Sequence, residues 1–292
     1  MQIEANGITL DHAQTGPADG VPLVLIRGLG SQRIHWPEAF LDGLAARGFR
    51  VISFDNRDIG ESQRCPAPGV EARAEAILAE VAAGRVPQAA YTLEDMARDV
   101  IGLMDALGIA RAHVFGMSMG GGIAQILALD HAPRLLSATI VMSRASFSGQ
   151  GALDQLLARP LDRAAFIATE LRLDAIWGSP GYPIPEAALR DLAGRAHDRG
   201  ADPEGVNRQL LAVIHSGERR DRLGGVALPC LVIHGADDAL IGPEHGEEIA
   251  GLIPEAELQI IEGMGHTITP ALSPLLVGML ADFITRRAPA RG

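Results

Sequence analysis

Short apolar runs alternate with longer amphipathic segments along most of the chain, and polar turns rich in glycine separate them. Apolar runs of this kind are typical of strands buried on both faces, and amphipathic segments are typical of the helices that cover them. The alternation predicts a mostly parallel sheet with helices on both of its faces. The predicted strands lie at 21–26, 49–54, 112–115, 136–142, 228–233 and 258–261, after a hairpin at 1–16.

The alternation breaks between residues 147 and 223, where one helical pattern follows another without a convincing strand. We therefore predict an α/β core made of 1–146 and 224–292, interrupted by a helical cap at 147–223. The helical patterns of the predicted cap lie at 153–159, 164–173, 186–195 and 205–216. Outside the cap, helices are predicted at 37–47, 92–107, 121–130 and 273–285, and residues 63–90 combine a loop with an Ala- and Glu-rich helix.

Size and charge limit the classes of function. With 292 residues, 47% of them hydrophobic, and 34 glycines, the chain matches one large α/β domain with an insertion. Its net charge of −11 gives no support to binding of nucleic acid or of an anionic membrane. We also expect no membrane association, because no apolar run approaches the length of a span and the first residues lack the basic and apolar regions of a signal peptide.

Cys65 and Cys230 are the two cysteines, and they lie far apart in different sequence contexts. This usage indicates neither a disulfide framework nor a zinc site. The chain is therefore predicted to be a cytoplasmic protein that binds no metal. Its oligomeric state stays open between a monomer and a homodimer.

The pentapeptide from Gly116 to Gly120 carries the clearest chemical signal. It has the form G-x-S-x-G, with Ser118 at its centre, after an apolar run and before a helical segment. In that context a sharp strand-to-helix turn lifts the serine hydroxyl out of the sheet as a nucleophile. The flanking glycines are expected because a Cβ at either position would collide with neighbouring backbone. An ordinary glycine turn has the same letters, and the strand and helix around it favour the nucleophile.

A serine nucleophile needs a base, and the base needs a partner that fixes its tautomer. His266 follows the predicted strand that ends at residue 261, and Asp237 and Asp238 follow the one that ends at residue 233. Open α/β sheets place their sites at these carboxyl ends. We assign His266 as the base and Asp238 as the acid, because the fourth residue of a Gly-x-x-Asp turn points at the histidine. Asp237 is the competing acid, and its alternative role is a turn residue. Weaker histidine candidates are His35, His113, His234 and His245.

An oxyanion requires two preorganised N–H donors. Met119, directly after the serine, is expected to supply one from the start of a helix. We assign the other to Leu29, between two glycines in the loop after the first parallel strand. Glycines there let the backbone approach a substrate oxygen closely, although an ordinary glycine turn looks the same.

Four apolar side chains are candidates for binding the substrate, and each has core packing as its alternative role. Trp36 follows the oxyanion loop and either lines the pocket floor or buttresses the loop. Met117 precedes the serine, and its flexible thioether suits an irregular gap. Phe147 and Trp177 are among the few aromatic residues of the predicted cap.

Together these motifs resemble the α/β-hydrolase fold family, in its serine-nucleophile branch, over nearly the whole chain. The resemblance implies a triad of Ser118, His266 and Asp238, a helical cap over the site and no cofactor. The motifs that carry it are Gly28-Leu29-Gly30, Asp55-x-Arg57-Asp58-x-Gly60-x-Ser62, Gly116-Met117-Ser118-Met119-Gly120, Gly235-Ala236-Asp237-Asp238 and Gly263-Met264-Gly265-His266.

Two positions depart from the family pattern. Arg27 stands where the oxyanion loop usually begins with histidine, and Asp58 stands where the turn after the second parallel strand usually has glycine. The Asp-x-Arg-Asp version of that turn, with the Gly-Met-Gly-His end, looks most like the aclacinomycin methylesterase branch and related uncharacterised bacterial hydrolases. Arg57 and Asp58 are expected to stabilise the turn rather than to catalyse.

These observations predict a hydrolase that cleaves carboxylic esters of small or medium size through a triad and an acyl-enzyme, with a small-molecule ester as its partner. Serine at the elbow disfavours the haloalkane dehalogenases and epoxide hydrolases of this fold, which use aspartate there. It leaves open lactone hydrolysis, carbon–carbon hydrolysis and cofactor-free perhydrolysis or haloperoxidase chemistry. A catalytically silent ligand receptor on the same fold is the alternative from another class.

Overall fold

An eight-stranded sheet forms the centre of the molecule in the computed structural model, which describes residues 1–146 and 156–287. The strands lie side by side in the order β1-β2-β4-β3-β5-β6-β7-β8. The first two are antiparallel to their neighbours and the others are parallel, as predicted. Their bounds are β1 Gln2–Ala5, β2 Ile8–Thr15, β3 Val21–Ile26, β4 Phe49–Phe54, β5 Ala112–Met117, β6 Leu135–Val141, β7 Cys230–Gly235 and β8 Glu257–Ile261.

Helices cover both faces of the sheet, which confirms the predicted α/β-hydrolase fold class. Among the described helices, none is both long and apolar enough to cross a membrane. The α-helices are α1 Glu38–Ala46, α2 Ala74–Ala82, α3 Leu93–Ala106, α4 Met119–Asp130, α5 Arg163–Trp177, α6 Glu186–Asp198, α7 Pro203–His215, α8 Arg220–Leu223, α9 Glu244–Leu252 and α10 Ser273–Arg287.

Alternate side chains of β3 point to opposite faces of the sheet and pack in two separate layers of the core. Val24 and Ile26 pack on one face, against α3 and α4. Leu23 and Leu25 pack on the other face, against α1 and α10. All four side chains are fully buried, because a central parallel strand is covered on both sides.

Two local signals in the sequence are seen directly in the structure, one at a hairpin turn and one at the start of a helix. Asn6 and Gly7 both have positive φ, 50° and 76°, which is the geometry of a tight hairpin turn between β1 and β2. Thr92 caps α3: its hydroxyl accepts a hydrogen bond from the Asp95 amide, and the Asp95 carboxylate accepts one from the Thr92 amide.

The chain between β6 and β7 is the long insertion that the sequence predicts. Its described part, residues 156–223, holds α5 to α8 and no strand beyond an isolated bridge between Ser146 and Glu218. The division into a core and a cap stays a prediction. Phe147 and the first part of the helix predicted at 153–159 lie outside the described residues.

The turn after β4 joins three parts of the molecule through buried ion pairs. Arg57 donates two hydrogen bonds of 2.6 Å to Asp99 of α3, and both side chains are buried. Asp58, at φ 73°, accepts a hydrogen bond of 2.7 Å from Arg208 of α7. The first pair ties the turn to the core, and the second ties the insertion to the same turn.

Arg57→Met is expected to lower the free energy of unfolding by about 3–5 kcal/mol, because it leaves the Asp99 carboxylate buried without its cation. The matched control is Arg98→Met, because Arg98 is the neighbour of Asp99 on α3. Arg98 pairs with Asp95 at the exposed surface, so its loss should amount to less than about 1 kcal/mol. Urea unfolding followed by circular dichroism measures both, and equal losses would contradict the structural role given to Arg57.

Candidate active site

Ser118 occupies a sharp turn between β5 and α4. Its φ is 58° and its ψ is −119°, a conformation that is rare for any residue other than glycine. Four hydrogen bonds hold the turn. The Ser118 amide donates to the Val141 carbonyl at 2.8 Å, and the Ser118 carbonyl accepts from the Gly121 amide and the Ser143 hydroxyl, each at 2.8 Å, and from the Gly122 amide at 3.2 Å. Neighbouring residues therefore hold Ser118 in this strained conformation.

The glycines on either side of the serine are required by close backbone contacts. A Cβ on Gly116 would lie 2.1 Å from the Gly120 carbonyl oxygen, and a Cβ on Gly120 would lie 2.2 Å from the Ile26 carbonyl oxygen. Real Cβ atoms do not approach oxygen so closely, so β5, α4 and the end of β3 meet here only because both residues are glycine.

Gly116→Ala is expected to lower the free energy of unfolding by about 1–3 kcal/mol, since the backbone must shift to admit a methyl group. Gly278→Ala in α10 is the matched control, because a Cβ there meets open space. Alanine should stabilise that helix by about 0.5–1 kcal/mol. Thermal and urea unfolding compare the two variants. A tolerated alanine at 116 would show that the turn is not tightly packed.

His266 bridges Ser118 and Asp238. Its Nε2 lies 3.0 Å from the Ser118 hydroxyl oxygen, and its Nδ1 lies 2.6 Å from Asp238 Oδ2. The three side chains reach the site from the ends of β5, β7 and β8, which are well separated in sequence and meet at the carboxyl edge of the sheet. In this geometry Asp238 accepts from Nδ1–H, which leaves Nε2 free to take the serine proton.

Asp238 is held in its ionised form. Burial opposes its charge, but the His234 and His266 imidazoles and the Ile241 amide outweigh burial and keep the pKa of the Asp238 carboxyl well below its usual range. Oδ1 accepts from the amides of Leu240 and Ile241 at 3.0 and 2.9 Å. The carboxylate is therefore both charged and fixed in orientation at neutral pH.

Asp237, the competing acid, points elsewhere: its carboxylate accepts a hydrogen bond of 2.8 Å from the Gly263 amide. His234 lies beside the acid but donates to or accepts from no group of the serine. Its Nε2 is 2.8 Å from the Ile241 carbonyl oxygen and 3.6 Å from Asp238 Oδ2. The structure thus brings together Ser118, His266 and Asp238 and leaves Asp237 outside.

The other candidate histidines have separate surroundings. His113 is buried in β5 with its Nδ1 2.7 Å from the Ser137 hydroxyl, and burial lowers its pKa to about 4. The His35 ring accepts from the Gln32 amide at 3.0 Å, and burial, followed by the charge of Arg27, lowers its pKa to about 3. Both imidazoles are therefore neutral at pH 7.

The loop after β3 lies directly against the serine. A Cβ on Gly28 would be 3.0 Å from Ser118 Cβ and 3.5 Å from its hydroxyl oxygen. Leu29 follows in the same loop, and Met119 is the first residue of α4, where free amides and the helix dipole favour negative charge. Leu29 and Met119 line the same cavity as Ser118, and each directly follows a residue of the Gly28–Ser118 contact in sequence.

A cavity of about 1740 Å³ opens over Ser118 and His266. Its walls come from the loop after β3, from the chain after β6 and β7, and from α5, α6 and α7 of the insertion. The insertion therefore supplies one wall of the space in which a substrate would meet the serine. The volume exceeds that of a typical pocket for one drug-sized molecule.

Three of the four predicted substrate-binding residues line this cavity, and Phe147 lies outside the described residues. Trp36 is 2% exposed and packs on Phe40 and Phe115, so it mainly buttresses the loop. Met117 is buried below the serine. Trp177 is the last residue of α5, and its carbonyl oxygen accepts a hydrogen bond of 2.6 Å from the His266 amide.

Sequence reasoning missed two residues that hold the site loops. Gln209 of α7 accepts from the Gly30 amide at 3.0 Å and donates to the Arg57 carbonyl at 2.8 Å. Ser179 accepts from the Gly265 amide at 3.0 Å and donates to the Thr267 carbonyl at 2.6 Å. Both come from the insertion, and no local pattern could assign their partners, which lie far away in sequence.

Within residues 1–146 and 156–287, no cluster of three or more His, Cys, Asp or Glu side chains is arranged to hold a metal ion. Cys65 and Cys230 are both free. The arrangement that the structure does provide is a serine hydroxyl, an imidazole and a carboxylate in one hydrogen-bonded series at the wall of one cavity.

Comparison with known proteins defines the class. Residues 21–175 match the family model described as alpha/beta hydrolase fold, so the chain belongs to that family. It is 29% identical over 309 residues to rhodomycin D methylesterase of Streptomyces peucetius, a match that covers 91% of each chain. The family and this relative confirm the prediction of an enzyme, a hydrolase of the esterase type.

Solved structures show the same fold. The enol-lactonase from Burkholderia xenovorans LB400 superposes with a TM-score of 0.74 at 24% identity, over 98% of this chain and 100% of that one. An esterase from Rhodococcus sp. ECU1013 gives a TM-score of 0.73 at 22% identity, over 98% of both chains. At these identities the likeness concerns the fold alone.

Proposed function

We propose that this protein hydrolyses carboxylic esters with Ser118 as nucleophile, His266 as general base and acid, and Asp238 as the residue that orients and stabilises the imidazolium. The observation that carries the proposal is the continuous hydrogen-bond chain from the Ser118 hydroxyl through His266 to Asp238, with separations of 3.0 and 2.6 Å. A serine hydroxyl is a weak nucleophile without such a base.

Acylation follows from this geometry. Ser118 Oγ attacks the ester carbonyl carbon while His266 Nε2 takes the hydroxyl proton, which gives a tetrahedral intermediate and an imidazolium. The ionised Asp238 stabilises that imidazolium through Nδ1. When the intermediate collapses, the carbon–oxygen bond to the alcohol breaks, and His266 Nε2 returns its proton to the leaving alkoxide. The products of this half are the free alcohol and an acyl group on Ser118.

Deacylation repeats these steps with water. His266 takes a proton from a water molecule as its oxygen attacks the acyl carbon, and the second tetrahedral intermediate expels Ser118 Oγ, which recovers the proton from His266. A carboxylic acid leaves, and the resting enzyme is restored. In both intermediates the backbone amides of Leu29 and Met119 are proposed to hold the oxyanion, a role supported by their place beside Ser118 and by the N-terminus of α4.

The insertion is proposed to act as the cap that selects the substrate. Support comes from α5 to α7, which line the cavity, and from the hydrogen bond between His266 and Trp177 at the end of α5. The cavity has room for a medium-sized ester, including a polycyclic one. The relative from Streptomyces peucetius is named as a methylesterase, which favours a methyl ester as the bond to test first.

A panel of substrates tests the proposal. It contains 4-nitrophenyl esters from acetate to palmitate, aryl methyl esters, simple lactones, a vinylogous diketone for carbon–carbon cleavage, and peracetic acid formation from acetate and peroxide. We expect turnover of esters, with a chain-length profile set by the cap. Turnover of lactone, diketone or peroxide alone would move the reaction to that chemistry on the same triad. Tight ligand binding with no turnover of any member would favour a receptor.

A further inference from the structure

Arg27 is a buried cation that lines the cavity and has only neutral partners among the described residues. Its side chain is 6% exposed. Its Nη1 lies 3.5 Å from the Met117 sulfur, its Nη2 lies 3.5 Å from the Ser31 hydroxyl, and its Nε is buried without a hydrogen-bond partner. The 3.5 Å contact to the Ser31 hydroxyl is at the outer limit of hydrogen bonding, and a thioether sulfur is a weak acceptor, so the charge is weakly compensated.

The other arginines of the cavity wall are less buried or are paired. Arg33 donates to the Asp11 carboxylate at 2.6 Å, and Arg195 lies 2.9 Å from Asp191. Arg144 also has a buried Nε without a hydrogen-bond partner, but the residue as a whole is only partly buried. Glu170 and Asp174 of α5 line the cavity too, and among the described contacts Arg27 forms no ion pair with either of them. Burying an unpaired charge is costly, and such groups are normally paired or kept for a ligand.

The position of Arg27 places this charge next to the reacting bond. Gly28, the next residue, packs against Ser118, and Met117, which contacts the guanidinium, directly precedes Ser118. The Trp36 ring lies under the guanidinium, with 4.6 Å between the ring centroid and the Arg27 Cζ, which fixes the orientation of its plane. The charge is thus buried, stacked on an aromatic ring and close to the nucleophile.

The local potential is positive as well. Burial lowers the pKa of Arg27 to about 10, so its guanidinium stays charged at neutral pH. Among the charges that lower the pKa of His35 in the same cavity wall, that of Arg27 has the largest effect. A planar guanidinium binds a carboxylate through two parallel N–H bonds, and a water-excluded site strengthens that pair.

We propose that Arg27 binds a carboxylate carried by the substrate next to the ester that Ser118 attacks. The inference rests on the proposed esterase function and adds the substrate class: a half-ester or an ester of a hydroxy acid, with one free carboxylate. Arg27 is then a specificity-determining residue, and the unpaired buried charge of the resting protein is compensated when the substrate binds.

Two matched pairs of substrates test the inference, because the carboxylate belongs either to the acyl part or to the alcohol part. The first pair is mono-4-nitrophenyl glutarate and 4-nitrophenyl butyrate, and the second is 4-acetoxybenzoate and phenyl acetate. For each pair the ratio of kcat/KM, anionic over neutral, is measured for the wild type and for Arg27→Met, Arg27→Lys and Arg195→Met. The last variant removes a paired arginine from the same cavity.

In at least one pair, Arg27→Met should lower the ratio about 10- to 100-fold, the range expected for hydrogen bonds to a charged group. The ratio for Arg27→Lys should lie between those of the wild type and Arg27→Met, since lysine keeps the charge and loses the planar fork. Arg195→Met should leave the ratio within about twofold, as expected for an exposed pair. A ratio that Arg27→Met leaves unchanged in both pairs would overturn the inference.

Two further readouts separate this inference from its alternatives. Calorimetry of monomethyl glutarate binding to Ser118→Ala, with and without Arg27→Met, needs no turnover; equal binding, or none, overturns the inference even where the proposed hydrolysis also fails. If hydrolysis depends on Ser118 but Arg27→Met leaves the anionic-to-neutral ratio unchanged, the inference about Arg27 is overturned and the proposed esterase function stands. A purely structural Arg27 would make Arg27→Met less stable, whereas removal of an uncompensated buried charge should leave its Tm equal or higher.

Discussion

Ser118→Ala is expected to lower kcat for ester hydrolysis by about a millionfold, because the proposed acyl-enzyme forms on the Ser118 hydroxyl. The residual rate would come from binding and from the oxyanion donors, which the substitution leaves in place. Steady-state hydrolysis of 4-nitrophenyl butyrate, read at high enzyme concentration, measures the loss. Circular dichroism and a melting curve show that the variant is folded.

Ser137→Ala is the matched control for this loss. Ser137 is buried in β6, next to β5, and its hydroxyl contacts His113 rather than the cavity. Its removal should change kcat by less than about threefold, since it touches no reacting group. Comparable losses in the two variants would mean that Ser118 acts through packing and not as the nucleophile.

Asp238→Asn is expected to lower kcat by about ten thousandfold with little change in structure. The asparagine amide can donate to His266 Nδ1 and so stabilise the tautomer that carries its proton on Nε2. That tautomer cannot accept the proton of Ser118, and the imidazolium loses its counter-charge. The same 4-nitrophenyl butyrate assay measures the effect, and KM should change little because Asp238 is behind His266 and away from the substrate.

Asp237→Asn provides a control one residue away. Its carboxylate accepts from the Gly263 amide, and an asparagine oxygen can accept the same bond, so kcat should stay within about threefold of the wild type. The two substitutions remove the same charge from the same turn. A larger loss at 237 than at 238 would reverse the assignment of the acid.

Much of the fold follows from local patterns. Each predicted strand is present with its ends displaced by at most two residues, because a buried parallel strand needs a continuous apolar run and turns at both ends. At the elbow, Gly116 and Gly120 permit the close backbone contacts, and in the hairpin turn both Asn6 and Gly7 have positive φ. Because Ser118, Asp238 and His266 each follow a predicted parallel strand, the sequence also predicts that they share the carboxyl edge of the sheet.

Other features depend on contacts that no local pattern reveals. The one-turn helix α8 has too few residues for a helical period, and α9 has only two buried residues, Gly246 and Ile249, to mark one. Gln209 and Ser179 act on loops far away in sequence. Arg27 was visible only as a departure from the family pattern; its burial and its neutral surroundings required the structure.

The proposed mechanism depends on covalent acylation of Ser118 after activation by His266. Reaction with a fluorophosphonate tests this step, followed by intact-mass and peptide mass spectrometry of the wild type, Ser118→Ala and Asp238→Asn. We expect a single adduct on the peptide that contains Ser118, much slower labelling of Asp238→Asn and none of Ser118→Ala. An adduct on another residue, or equal labelling of wild type and Ser118→Ala, would contradict this mechanism.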